Sequence, residues 1–391
     1  MATASWTQRL AARAAERRAQ GLWRQRRTLA SRAPRLDFAG NDYLGLAGDP
    51  RLAEAMARGA RRFGAGGRAS HLVCGHRDVH EALEGRLAEL TGRPRALLFS
   101  TGYMANLGTL QALCEPDTRL FQDRLNHASL LDGATLSGAP SRRFHHGDLG
   151  DLERLLARAP AAAPKLVVSD GVFSMDGDVA DIPGLAAAAR RHDAWLMIDD
   201  AHGLGVLGER GDGCVGRAHG VEEVPVLVGT LGKALGTAGA FVAGNHELVD
   251  HLIQFARPYV YTTAQPPSVA AATLAALDIL AAEPERRARL ASLIARFRTE
   301  AAGLGLPLTE SHTPIQPLVL GESPRVMAWA ARLDARGIDV GAIREPTVPR
   351  GQARLRITLS AAHADDDLER LLAGLADCQA AEASAAAEAT P

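Results

Sequence analysis

Short apolar or β-branched runs alternate with amphipathic segments of helix length through the middle of this chain, and that alternation restricts its fold more than any other feature. The runs fall at residues 96–99, 120–122, 166–169, 195–198, 226–228 and 240–243, with helices predicted over 104–113, 128–137, 149–157 and 182–192. Strands joined by helical crossovers form a mostly parallel sheet, and the loops leaving their carboxyl ends gather at one edge. The expected fold class is therefore α/β, with its chemistry at that edge.

From about residue 285 the pattern changes to a long Arg-rich helix, strands near 316–320 and 354–358 with a helix between, and a helix over 364–375. This reads as a smaller α+β domain. The expected division is a helix and arm over 1–44, a large domain over 45–284, a small domain over 285–378, and a frayed tail over 379–391, where no apolar anchor follows Cys378. In the first twenty residues Trp6, Leu10 and Ala14 recur at helical spacing, which predicts an amphipathic helix docked on the body. With 391 residues, 47% of them hydrophobic, the chain can bury more than one small core.

The 44 basic residues balance 45 acidic ones, so the chain as a whole has no field that would hold it on nucleic acid. The eight arginines between Arg9 and Arg32 read as a solvated helix face. No run approaches the ~18 apolar residues of a membrane span. Cys74, Cys114, Cys214 and Cys378 are widely spaced, without zinc or disulfide patterning, which points to a reducing cytoplasm.

Five segments carry candidate chemistry. VGTLGKALGTAGAF sets Lys233 among glycines directly after a strand, as close approach by a flat ring and desolvation of a nucleophilic amine would require; a flexible loop with a solvated lysine is the plain alternative. IDDAHGLG places Asp199 and His202 at a strand end, where a carboxylate can hold a protonated ring nitrogen and an imidazole can reach a ring oxygen. A metal reading of Asp199, Asp200 and His202 lacks further ligands at suitable spacing. FSTGYMAN runs from strand through a small polar turn into a helix N-terminus, which suits a phosphate dianion, and it contains Gly102 and Tyr103. DRLNHASLLDG offers His127 for stacking on a ring, and GVFSMDGD offers the Ser174 hydroxyl; each is equally an ordinary helix start or turn.

Taken in order, FSTGY, DRLNHASL, GVFSMDGD, IDDAHGLG and GTLGKALG resemble the α-oxoamine synthases, a branch of the fold-type I pyridoxal-phosphate enzymes, with the likeness running from about Asn41 to His363. The resemblance implies a large domain built on a mostly parallel seven-stranded sheet between helices, a smaller α+β domain, and pyridoxal 5′-phosphate as cofactor. It implies that Lys233 binds the cofactor covalently and moves the α-proton, that Asp199 pairs with the ring nitrogen, that His202 meets the ring oxygen and that His127 stacks. Gly102, Tyr103 and Thr230 would hold chiefly the phosphate, and Ser174 would line the ring. It also implies a homodimer in which Thr262 and Thr263, in PYVYTTAQPP, reach the partner's phosphate. The stretches GAGGRASHLVCGHRDVHEALE, with His71 and His76, and AIREPTVPRGQARLRITLSAAH are similar to the branch that joins L-alanine to a pimeloyl thioester of coenzyme A or acyl carrier protein. That branch implies substrate contacts from Arg24 in the N-terminal helix, Asn41, His127, Thr347 and Arg356, the last holding the amino-acid carboxylate. Glu345 departs from it where proline is expected. The alternatives are a sister synthase using glycine and a catalytically inactive regulatory subunit.

Overall fold

The computed structural model describes residues 5–388, apart from 21, 25, 27 and 29–34. Eleven strands are seen among the described residues: β1 Leu36–Phe38, β2 Arg95–Phe99, β3 Arg119–Asp123, β4 Ser141–Phe144, β5 Lys165–Asp170, β6 Trp195–Asp199, β7 Val226–Thr230, β8 Ala240–Gly244, β9 Ile315–Gly321, β10 Ile338–Ile343 and β11 Ala353–Thr358. Seven of these make one sheet in the order β2-β8-β7-β6-β5-β3-β4. Only β8 runs against its neighbours, pairing antiparallel with β2 and β7. Strand β5 is buried at every position, as a central parallel strand covered on both faces requires. The carboxyl ends of β5, β6 and β7 bring Asp170, Asp199 and Thr230 to one edge.

The second sheet has the order β1-β10-β11-β9. Its edge strand β1 comes from the segment expected to be an arm and pairs in parallel with β10, from Leu36 opposite Ile338 to Phe38 opposite Val340. The first part of the chain is thus stitched into the smaller sheet, and Tyr43, Leu44 and Leu46 follow it into the core. One continuous apolar cluster joins Leu98 and Phe241 of the large sheet to Ile315, Leu355 and Leu372 of the smaller layer. The two layers therefore pack as one body around a shared core.

Two terminal expectations need correction. The helix Trp6–Ala19 forms, closed by a reciprocal cap between Ser5 and Gln8, but none of its residues is buried. Trp6 and Leu10 stay exposed, so within this chain the helix is not docked; its local cap is enough to start it. At the other end the described part of the expected frayed tail, residues 379–388, is a continuation of the last helix, Asp365–Glu388, and the rest of it lies outside the described residues. Leu368, Leu371, Leu375 and Cys378 anchor that helix in the core, Glu382 pairs with Arg325 at 2.7 Å, and alanine-rich sequence propagates helix once it is anchored. No described helix is long and apolar enough to cross a membrane, and all four cysteines are free.

Candidate functional site

A cavity of about 200 Å³ opens at the carboxyl edge of the large sheet, lined by Gly102, Tyr103, Asn106, His127, Ser129, Asp170, Val172, Ser174, Asp199, Ala201, His202, Thr230 and Lys233. Eight of these were candidates from the sequence. Each arrives at the end of a strand, in the turn that follows one, or at the start of a helix, because those are the elements the parallel sheet aims at its carboxyl edge.

Lys233 sits in the turn between β7 and β8, its Nζ 2.8 Å from His202 Nε2. Burial is the main influence on its ammonium and pushes the pKa down to about 8, against the opposing pull of Asp199 and Asp170. Among the flanking glycines, Gly236 has a φ of +65°, and a Cβ there would stand 2.4 Å from the backbone nitrogen of Ala47. Its role is close packing on the chain after β1. A Cβ on Gly232 would meet nothing nearer than 3.4 Å. For Gly236, then, packing accounts for the glycine without approach by a ring.

Asp199 is buried, and both its oxygens accept N–H donors: Asn106 Nδ2 at 2.6 Å and the backbone of Ala201 at 3.0 Å. Asp170 lies opposite it in the sheet register and accepts the His127 N–H at 2.9 Å. Burial, and then the Asp199 charge, push the Asp170 carboxyl well above the usual range. Asp200 points elsewhere, accepting the Cys214 N–H at 2.8 Å, so Asp199, Asp200 and His202 do not converge on a metal.

His202 is buried, and its ring is held neutral because burial first, then the Lys233 charge, push its pKa well down. His127 caps the helix Ala128–Ser137, with Nδ1 2.7 Å from Ser129 Oγ, and the Tyr103 ring meets it edge-on at 6.4 Å. The hydroxyl of Tyr103 is hydrogen-bonded to Asp132. Gly102 and Tyr103 open the helix Gly102–Leu113, whose cap Thr101 accepts from Met104. The first N–H groups of a helix have no intrahelical partner and favour an anion. Thr230 Oγ1 lies 3.1 Å from the Gly239 carbonyl.

Arg356, buried on β11, reaches over from the smaller sheet: Nε donates to the Ser174 carbonyl at 2.6 Å and Nη2 to Asn41 Oδ1 at 3.1 Å. Asn41 and Arg356 are thus brought to the rim beside Ser174. Other expected residues are not. Thr347 is exposed in a turn, its N–H donating to the Arg344 carbonyl at 3.0 Å. Arg24 is exposed and lies beyond the end of the first helix rather than in it. Thr262 and Thr263 do not line this cavity; Thr263 pairs with Ser70 and receives a contact from Ser100 Oγ at 3.4 Å.

Sequence reading missed Tyr43, Asn106, Ser129 and Asp170. Asn106 stands one helical turn after Gly102, so its side chain faces the same way as that helix start, and Asp170 ends a buried strand just before GVFSMDGD. A second cluster, His71, His76 and His80, lies outside the cavity. There His80 accepts the Arg77 N–H at Nδ1 and meets the Gln265 carbonyl through Nε2, so neither ring nitrogen is free for a metal.

A donor set of helix N-terminus, buried carboxylate, desolvated lysine and open-faced imidazole in one cavity fits pyridoxal phosphate. Residues 33–375 match the model of the aminotransferase class I and II family. The chain is 74% identical to the 8-amino-7-oxononanoate synthase of Chromohalobacter salexigens over 382 residues, covering 98% of this chain and 99% of that one. It also resembles a solved 8-amino-7-oxononanoate synthase from Francisella tularensis, with 31% identity, TM-score 0.77, and coverage of 89% of this chain and 98% of that one. A lysine-to-alanine variant of serine palmitoyltransferase from S. paucimobilis with a bound PLP–myriocin aldimine aligns at TM-score 0.89 and 28% identity over 95% of this chain and 97% of its own.

Proposed function

This chain belongs to the 8-amino-7-oxononanoate synthases, pyridoxal-phosphate-dependent acyltransferases within the class I and II aminotransferase family, and from that premise we propose that it joins L-alanine to a pimeloyl thioester, releasing carbon dioxide and the free thiol, as a step of biotin synthesis. The thioester would be that of coenzyme A or of acyl carrier protein, and the setting the cytoplasm. The observation that carries the reading is Lys233, largely desolvated and 2.8 Å from His202, in a cavity that also holds Asp199.

Pyridoxal phosphate, when bound, supplies an electron sink for the charge that develops at the amino acid's α-carbon. The chain's own residues do the rest. Lys233 would hold the cofactor, and its freed amine would take the α-proton; a pKa near 8 leaves more of it neutral at physiological pH than an exposed lysine would be. Asp199, braced by Asn106 and Ala201, would hold the ring N–H. His202 would face the ring oxygen, His127 would stack, Ser174 would line the ring, and Gly102, Tyr103 and Thr230 would hold the phosphate. Arg356, steadied by Asn41, would bind the carboxylate of alanine, since a guanidinium orients a carboxylate through two parallel hydrogen bonds. Arg24 and Thr347, outside the cavity, would serve the longer acyl donor, and Thr262 and Thr263 the phosphate of a partner subunit in a homodimer.

The test is to follow carbon dioxide and thiol release by the holoenzyme with pimeloyl-coenzyme A, comparing L-alanine with glycine. One carbon dioxide per thiol with alanine, and a much lower kcat/KM with glycine, is expected. A preference for glycine would overturn the substrate assignment.

A further inference from the structure

Tyr43 is almost wholly enclosed, and its hydroxyl is the middle link of a chain of polar contacts crossing from the smaller sheet to Lys233. Arg356 Nη2 donates to Asn41 Oδ1 at 3.1 Å, Asn41 Oδ1 lies 3.1 Å from the Tyr43 hydroxyl, that hydroxyl lies 2.6 Å from His202 Nδ1, and His202 Nε2 lies 2.8 Å from Lys233 Nζ. The proton count along this chain is restrictive. A neutral imidazole carries one N–H, and the hydroxyl carries one proton for two possible acceptors.

If Tyr43 donates to Asn41, His202 must carry its proton on Nδ1, and Nε2 is a bare acceptor. That arrangement needs a donor at Lys233, which an ammonium provides. Once the amine of Lys233 is committed to a cofactor, that donor is gone. Asn41 Oδ1 already accepts from Arg356, and the contact to Nδ1 is shorter than the contact to Asn41. The hydroxyl proton then belongs on the side of His202.

Resting on the function proposed above, we infer that Tyr43 is a positioning residue for the reaction: its hydroxyl donates to His202 Nδ1, which leaves Nε2 as the N–H donor facing the cofactor. Lys233, Arg356 and His127 are the charged or titratable groups that act on the His202 ring, and all three oppose a second proton on it. The ring therefore answers to Tyr43 by exchanging one tautomer for the other, with no change of net charge.

Tyr43→Phe removes the hydroxyl and keeps the ring that fills the core. In the pyridoxal-phosphate-loaded variant no donor at Nδ1 holds the proton on Nε2, so the hydrogen bond from Nε2 weakens and the cofactor's ring oxygen becomes more basic. The pH midpoint of the visible absorbance should rise by roughly half a unit, the equivalent of about 0.7 kcal/mol or one neutral hydrogen bond. The kcat should fall several-fold with little change in KM for L-alanine. Because Tyr43 acts through His202, the double variant with His202→Asn should show the midpoint of His202→Asn alone. An unshifted midpoint in Tyr43→Phe, or additive shifts in the double variant, would overturn the inference. Should the variant not fold, the unmutated holoenzyme decides. With 15N-labelled histidine, and His202 assigned by its absence in His202→Asn, the proton is expected on Nε2, and finding it on Nδ1 overturns the inference. Failure of the unmutated chain to take up the cofactor would instead overturn the function on which it rests.

Discussion

At Asp199 one carboxylate faces two donors on the protein side, Asn106 Nδ2 and the Ala201 N–H, and the cavity on the other. Asn106 Nδ2 also donates to Ser129 Oγ, itself 2.7 Å from His127, so the brace of the carboxylate and the seat of the imidazole share one network. Asp199→Asn would set an amide against donors that need an acceptor and could not hold a protonated ring nitrogen. The expected result is retention of bound cofactor, read by absorbance, with kcat reduced roughly 100-fold or more. A near-normal rate would mean that another group, with Asp170 the neighbour to examine, keeps the ring protonated. The sequence displayed Lys233, Asp199 and His202 because each stands in a short run after a strand, and such runs can be read locally. Tyr43 could not be read that way. It meets His202 across 159 positions of chain, and nothing in NDYLGLA says that its hydroxyl turns inward.

Between elements, the carboxyl-edge loops are held by His146, which follows β4. Its Nδ1 lies 3.1 Å from Asp123 at the end of β3, and its Nε2 lies 3.0 Å from Asp178 in the turn that carries Ser174. The hydrogen bond to Asp123, then that to Asp178, raise the His146 pKa to about 10, so the ring is an imidazolium at neutral pH. Since the folded value lies above the unfolded value of 6.5, this stabilisation is fully present below 6.5 and is lost as pH rises through about 10. His146→Gln should therefore lower Tm most at and below neutral pH, and its Tm deficit should shrink as pH approaches 10 in paired melts. A deficit independent of pH would show that the ring contributes packing alone. The strands that sequence analysis found are those with buried apolar runs. It missed β4, which exposes Ser141, Arg142 and Arg143 at the sheet edge, β10, which is only half-buried beyond Ile338, and β1, whose three residues take their meaning only from β10, about 300 positions away. A pairing of that kind leaves no local periodicity.

For the whole molecule, several exposed apolar side chains among the described residues lie in segments that one bridge joins. Ser70 pairs with Thr263, which brings the exposed Leu72 and Val73 near the exposed Tyr261, and Tyr103 is also exposed where the cavity opens. Apolar side chains grouped beside a cavity are what a symmetric dimer covers, and such an interface would let Thr262 and Thr263 of one subunit serve the site of the other. The native mass should then be twice 41.3 kDa by sedimentation. Subunit mixing gives the stronger test. A Lys233→Ala chain lacks the amine of its own site but keeps both threonines, whereas a Thr262→Ala, Thr263→Ala chain keeps the amine. Each variant alone should be nearly inactive. After denaturation and refolding of an equal mixture, half the dimers are hybrids with one intact site of two, and activity should recover to about a quarter of wild type. If each site were built from one chain, mixing would restore nothing.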